Sequence, residues 1–160
     1  MGLRLLNYLK TIVWSGIFLG FFGLWLIPNA VYGEPISNFI FQFNLGSLVS
    51  FLGLSLIVYC VIIFIERGNG TPSPLDPPKK LQIVGPYKYT RNPMYAGYLT
   101  FIIGLFINTW NVKFLELALL FFVSFHLFVV LYEEKKLKKL FGQEYVRYTK
   151  KVKRWVPLLF

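Results

Sequence analysis

The groups on which most enzyme chemistry relies are scarce in this chain. It has one cysteine, one histidine and seven acidic residues among 160. Cys60, alone and inside an apolar run, excludes an intrachain disulfide and a cysteine zinc cluster. No metal-ligand set and no glycine-rich dinucleotide fingerprint can be found. Lysine and arginine are missing altogether between Lys10 and Arg67, so more than fifty residues pass without a basic group.

Apolar sequence is abundant. Hydrophobic residues make up 56% of the chain, more than a soluble domain of this length can bury, which places it in the membrane class as a single domain. The net charge of +10 would suggest nucleic acid in a soluble protein. Here the basic residues cluster beside apolar segments, a pattern that suits anionic lipid headgroups and excludes nucleic acid as the expected partner. Arg4 and Lys10 precede an apolar run too long for a signal core and without a small-residue cleavage site, so a retained span is expected. Leu6 stands where a myristoylation signal needs serine or threonine.

Taken in order, the apolar runs predict a helical hairpin over 1–66, a Pro-rich loop over 67–93, a second hairpin over 94–132 and a basic interfacial helix over 133–160. Span one is Thr11 to Ile27, with Gly16, Gly20 and Gly23 near one face, where a neighbouring helix can approach closely. Span two is Leu45 to Ile65. The prolines from Pro72 to Pro78 cannot continue a helix. Pro93 suits the first position of the next one, because its missing amide costs nothing there and its φ is already helical.

That third span, Met94 to about Thr109, is short, about 24 Å by the rise of a helix. A tight reversal at Asn108 to Lys113, with Trp110 at the interface, makes Phe114 to Tyr132 its antiparallel neighbour and returns Glu133 to the level of Pro93. Lysine and arginine number two before span one, none after it, five between Glu66 and Met94, one in the third loop and nine after Tyr132. By the positive-inside rule both termini are cytoplasmic. The tail is expected to stay helical, with Leu137, Leu140, Phe141, Tyr145, Tyr148, Val152 and Trp155 on one face. Tyr145, Tyr148 and Trp155 read as interface anchors, and Glu134 as the partner of Lys138 one turn on.

Two stretches carry chemistry, GPYKYTRNPMYAG from Gly85 to Gly97 and the pair Glu133-Glu134, and both lie where apolar sequence meets basic sequence. Gly85-Pro86-Tyr87, Arg91-Asn92-Pro93-Met94-Tyr95, Glu133-Glu134, Leu137, Phe141-Gly142, Tyr145, Tyr148 and Pro157 resemble the isoprenylcysteine carboxyl methyltransferase and phospholipid N-methyltransferase superfamily. The resemblance covers roughly the C-terminal half. It implies an all-α integral membrane protein of about four transmembrane helices, with a C-terminal interfacial helix covering a cytoplasmic-side cofactor pocket. The implied activity is an S-adenosylmethionine-dependent methyltransferase of prokaryotic type, acting on a lipid or other lipophilic acceptor at the cytoplasmic membrane.

Donor binding is carried over to Lys79, Lys80, Leu81, Gln82, Tyr87, Asn92, Pro93, Tyr95 and Glu133. Glu134 can supply a further acceptor, and carboxylates and aromatic faces favour a sulfonium cation. Arg91 can anchor a headgroup or hold a carboxylate or phosphate, and with Asn92 and His126 it forms the candidate catalytic set. His126, an ionisable group inside a span, is expected to face the bundle interior, either accepting a proton or hydrogen-bonded to a neighbour.

Two departures stand out. Asn92 replaces the histidine of the Arg-His-Pro form. Val129 stands one turn before Glu133 where the eukaryotic enzymes place the arginine that meets the prenylcysteine carboxylate. Two other classes fit the composition: an NADPH-dependent membrane reductase of sterol-reductase-like architecture, and a noncatalytic membrane scaffold.

Overall fold

The computed structural model describes Leu9, residues 43–68 and residues 80–155. The predicted first span, residues 69–79 of the Pro-rich loop with Lys79 among them, and Pro157 lie outside the described residues. Everything described is helix, turn or loop, without a strand, apart from one isolated parallel bridge between Thr90 and Lys153.

Helix α1, Leu45–Gly68, starts where the Asn44 side chain accepts from the Ser47 amide at 2.9 Å, satisfying one of the free donors of its first turn. A short 3₁₀ turn, Gly85–Lys88, leads to α2, Pro93–Thr109, which begins on the expected proline. α2 ends at Trp110, which adopts a left-handed φ of 51° and returns its amide to Phe106 O at 2.7 Å. Asn111 then caps α3, Val112–Phe128, by accepting from the Lys113 amide at 3.0 Å. One π-helical turn, Val129–Glu133, joins α3 to α4, Glu134–Lys151.

α1 and α2 touch backbone to backbone. A Cβ added at Gly53 would lie 2.5 Å from Phe101 N, and one at Gly46 would lie 2.5 Å from Asn108 N. From the other side, a Cβ at Gly104 would overlap Ser50, whose hydroxyl donates to Phe101 O at 3.2 Å. The glycines fall two turns apart on each helix, the small-residue seam that lets apolar helices pack without a hydrophobic driving force. Asn108 adds a bond from Nδ2 to Ser47 Oγ at 3.0 Å.

α2 meets α3 through Phe101, Leu105, Phe114 and Ala118, all buried. Outside these seams the surface is apolar. Leu48, Phe51, Leu52 and Val58 on α1 and Leu119, Leu120, Val123 and Leu127 on α3 are exposed, as helices in hydrocarbon are. Among the described helices two are long and apolar enough to cross a membrane, while Pro93–Thr109 is an apolar helix of 17 residues.

The tail departs from the expected single amphipathic helix. Gly142, with φ 52° and ψ −126°, breaks α4 internally, and the chain after it turns back toward the 87–92 loop. Leu140, assigned to the packed face, is therefore 51% exposed, whereas Tyr145, Tyr148 and Val152 are buried together against Leu81, Leu137 and Phe141. Tyr145 and Tyr148 are thus core residues and not interface anchors. Glycine at a positive φ is the residue that can make such a turn without strain.

Candidate active site

Four segments converge where α2 starts and α3 gives way to α4. The loop Gly85–Asn92 is held first. Tyr87 is buried against Cys60 and Ile63 of α1, edge-on to Phe64, and its carbonyl accepts from the Tyr148 hydroxyl at 2.7 Å. Gly85 sits at φ 57°, a left-handed conformation that strains any other residue, with Ile63 Cδ1 2.8 Å from where a Cβ would lie.

The chain from Val152 to Trp155 then runs as a strap across this loop. The Arg91 amide donates to Lys153 O at 2.9 Å, and the Arg154 carbonyl receives both Thr90 Oγ1 at 2.9 Å and Asn92 Nδ2 at 3.0 Å. Asn92 is accordingly buried and occupied in holding the strap.

The two adjacent acids point into different surroundings. The antiparallel α2/α3 pair brings Glu133 beside the first turn of α2, where the Tyr95 hydroxyl donates to Glu133 Oε2 at 3.0 Å. The Tyr95 ring stacks on Phe125 at 4.7 Å and lies 6.4 Å from Trp155. Among the described residues no lysine or arginine forms an ion pair with Glu133. Burial pushes its carboxyl above the ordinary range, against the pull of the Tyr95 hydrogen bond, and the Glu134 charge adds to the rise.

Glu134 faces the other way. It takes a two-pronged contact from Arg154, Nε to Oε1 at 2.7 Å and Nη2 to Oε2 at 3.0 Å, and Arg91 Nη1 reaches Oε1 at 3.0 Å. Burial works against its charge, but the Arg154 hydrogen bond and the two guanidinium charges outweigh it and hold the carboxyl below the ordinary value. The sequence-based pairing of Glu134 with Lys138 is corrected by these contacts. A planar guanidinium that can bind both oxygens outcompetes an exposed lysine one helical turn away. Consecutive residues on a helix project about 100° apart, which sends the two adjacent acids into different surroundings.

His126 lies one face up the same helix. Its Nδ1 accepts from Trp155 Nε1 at 3.0 Å, so the expected partner is an indole from the strap. Of the remaining predicted residues, Pro93 is buried at the start of α2, and Leu81 packs with Tyr145 and Tyr148. Gln82 donates back to Lys80 O at 2.9 Å. No hydrogen bond or ion pair among the described residues joins Lys80, Leu81 or Gln82 to the Tyr95–Glu133 pair.

The strap residues Arg154 and Trp155 were not assigned to the site by sequence reasoning, nor was Phe125. An arginine behind two lysine-rich turns carries no local signal of its partner. The signal that existed was Gly142, a helix breaker that forecasts a change of direction.

A half-buried acid held by a tyrosine beside stacked aromatics thus lies at one end of the apolar helices. Residues 70–144 match the family model of the phospholipid methyltransferases. The superfamily resemblance read from the sequence is thereby shown for this segment, 75 of the 160 residues, and it supports a methyltransferase associated with membranes. No curated protein and no solved structure matches the chain. The phospholipid methyltransferase segment contains Tyr95, Glu133 and Glu134 and ends just after the Gly142 kink, so Tyr145, Tyr148 and the whole strap lie beyond it.

Proposed function

We propose that this chain is an S-adenosylmethionine-dependent methyltransferase that takes its donor from the cytoplasm and a lipophilic acceptor from the bilayer. The observation that carries this reading is Glu133. It is a carboxylate largely withdrawn from water, hydrogen-bonded to Tyr95 and lacking a cationic partner among the described residues, in the segment that matches a methyltransferase family. A buried carboxylate is costly without a counter-charge, and a cationic ligand supplies one.

The residues present fit the donor. Glu133 offers the negative charge that a sulfonium or ammonium group needs, and the faces of Tyr95 and Phe125 offer the π-surface that favours such cations. Arg91 Nε is buried with no partner, a donor suited to a carboxylate or phosphate of either substrate. S-adenosylmethionine, when bound, supplies a methyl group activated by its positive sulfur. The chain's own part is to hold that charge at Glu133, to fix Tyr95 in one orientation and to exclude water with the aromatic wall, so that the acceptor's nucleophile meets the methyl in line.

In this reading the whole chain is one domain of four spans with both termini cytoplasmic, and the segment after Gly142 closes the donor site from the cytoplasmic side. Val129 leaves the helix turn before Glu133 without the arginine that would meet a prenylcysteine carboxylate, so a different lipophilic acceptor is expected. The test is incubation of the protein, reconstituted in nanodiscs, with radiolabelled donor and a total membrane lipid extract. Label in an extractable lipid is the expected result. Wild-type protein that neither binds the donor nor labels any lipid would overturn the reading, and binding of NADPH in its place would favour the reductase.

A further inference from the structure

The three residues read as catalytic each turn a polar group toward the strap or toward the acid that holds it. Asn92 Nδ2 is bonded to the Arg154 carbonyl, His126 Nδ1 accepts from the Trp155 indole, and the Arg91 amide and guanidinium are bonded to Lys153 O and Glu134. Glu134 in turn spends both oxygens on Arg154. Each of these bonds ends on the strap or on the acid that holds it, and the strap lies outside the family-matched segment.

We infer that Arg154 and Trp155 are positioning residues of the methyl-transfer site, and that Arg91, Asn92, His126 and Glu134 act chiefly by pinning the strap that carries them. The inference rests on the functional reading above and names the parts that organise its site. Arg154 is the pin. Its guanidinium takes Glu134 with two parallel bonds while its carbonyl takes Thr90 and Asn92, so one residue ties the start of α4 to the approach of α2. Trp155 is the wall. Its ring stands 6.4 Å from Tyr95, 5.4 Å from Phe122 and 6.2 Å from His126, which closes the aromatic lining on the side where Tyr95 meets Glu133.

The Trp155 bond also assigns a role to His126. With Nδ1 accepting the indole N–H, Nε2 is the nitrogen that carries hydrogen in the neutral ring, and His126 orients Trp155 as its acceptor.

The full-length protein in nanodiscs is used for the test, with S-adenosylmethionine as the titrant and the lipid identified by the labelling experiment as acceptor. Arg154→Ala should lower kcat by about 100-fold, the penalty typical of a misplacement near 1 Å, while the donor Kd moves less than tenfold. Arg154→Lys keeps the charge but not the fork and should recover only part of the loss. Glu134→Gln combined with Arg154→Ala should cost little more than either alone, because both break one connection. Trp155→Phe keeps an aromatic ring, smaller than the indole, and removes the N–H; it should lower kcat and shift the imidazole nitrogen resonances of His126, which are unambiguous because the chain has a single histidine.

Exposed Lys150→Ala is the control and should leave kcat unchanged. Wild-type kinetics in Arg154→Ala and unshifted His126 resonances in Trp155→Phe, in a protein that still binds donor, would overturn this inference alone. Failure of the wild type to bind donor would overturn the functional reading and this inference with it. Equal losses in Arg154→Ala and Arg154→Lys with additive double-variant effects would reduce the strap to a merely structural element and likewise overturn it.

Discussion

Glu133 and Glu134 are neighbours in sequence, identical in chemistry and opposite in circumstance. Glu134 is saturated, with two guanidinium groups on its oxygens and a carboxyl held below the ordinary range. Glu133 is withdrawn from water with only a phenol as its hydrogen-bond partner among the described residues, and its carboxyl is pushed up. The difference teaches which acid is finished and which awaits a ligand. A carboxylate that already has its cations holds structure together, whereas one that lacks them leaves a charge for something else to meet.

The comparison can be broken at several points. The largest effect is expected from Glu133→Gln, which keeps the shape and removes the charge. Methyl transfer, measured as kcat/KM with labelled donor, should fall at least about 100-fold, or near 3 kcal/mol at 1.36 kcal/mol per tenfold. Next is Glu134→Gln, which leaves Arg91 and Arg154 facing a neutral amide. Their side chains are 11% and 30% exposed, so part of the loss is recovered by solvent. A destabilisation of about 2 kcal/mol, read as a lowered Tm, is expected.

Tyr95→Phe removes the Tyr95 hydrogen bond to Glu133 while keeping the ring on Phe125. Donor affinity at neutral pH should weaken about tenfold, the usual size for a bond to a charged group. The smallest effect is a matter of pH, and its sign differs for the two acids. The lowered carboxyl of Glu134 contributes stability that is fully present above its ordinary value of 4.5 and is lost only as pH falls through its lower folded value.

The raised carboxyl of Glu133 behaves in reverse. The folded chain keeps that proton to higher pH than the unfolded one, so its contribution to stability declines as pH rises from 4.5 toward the raised value. Donor affinity should run the other way and weaken as pH falls through that same window, because a cation needs the ionised form. Calorimetric titration of donor across mildly acidic pH, beside thermal melts of the same samples, should show these opposite slopes. Parallel slopes would dissolve the distinction between the two acids.

Part of this arrangement could be read directly from the chain. Proline at position 93, a reversal at Asn108 to Lys113 and a charge-poor run ending in two acids together predict a hairpin, and the 3.0 Å contact between Tyr95 and Glu133 is its consequence. The seam between α1 and α2 is equally written in Gly46 and Gly53 and in Gly97 and Gly104, each pair two turns apart. The strap was not legible. It depends on a positive φ at Gly142, so the periodic reading of the tail grouped Leu137, Phe141, Tyr145, Tyr148 and Val152 as the structure does, but misplaced Leu140 and missed the change of direction. With that change Arg154 reaches an acid twenty residues earlier. No local pattern encodes a contact of that kind.

The central claim is that Glu133, and not Glu134, meets the donor's positive charge. It is tested most directly by titrating S-adenosylmethionine calorimetrically into the wild type, Glu133→Gln and Glu134→Gln at neutral pH. The account predicts a donor Kd raised about 100-fold or more in Glu133→Gln and less than tenfold in Glu134→Gln. A Glu133→Gln protein that binds the donor as tightly as the wild type would contradict it.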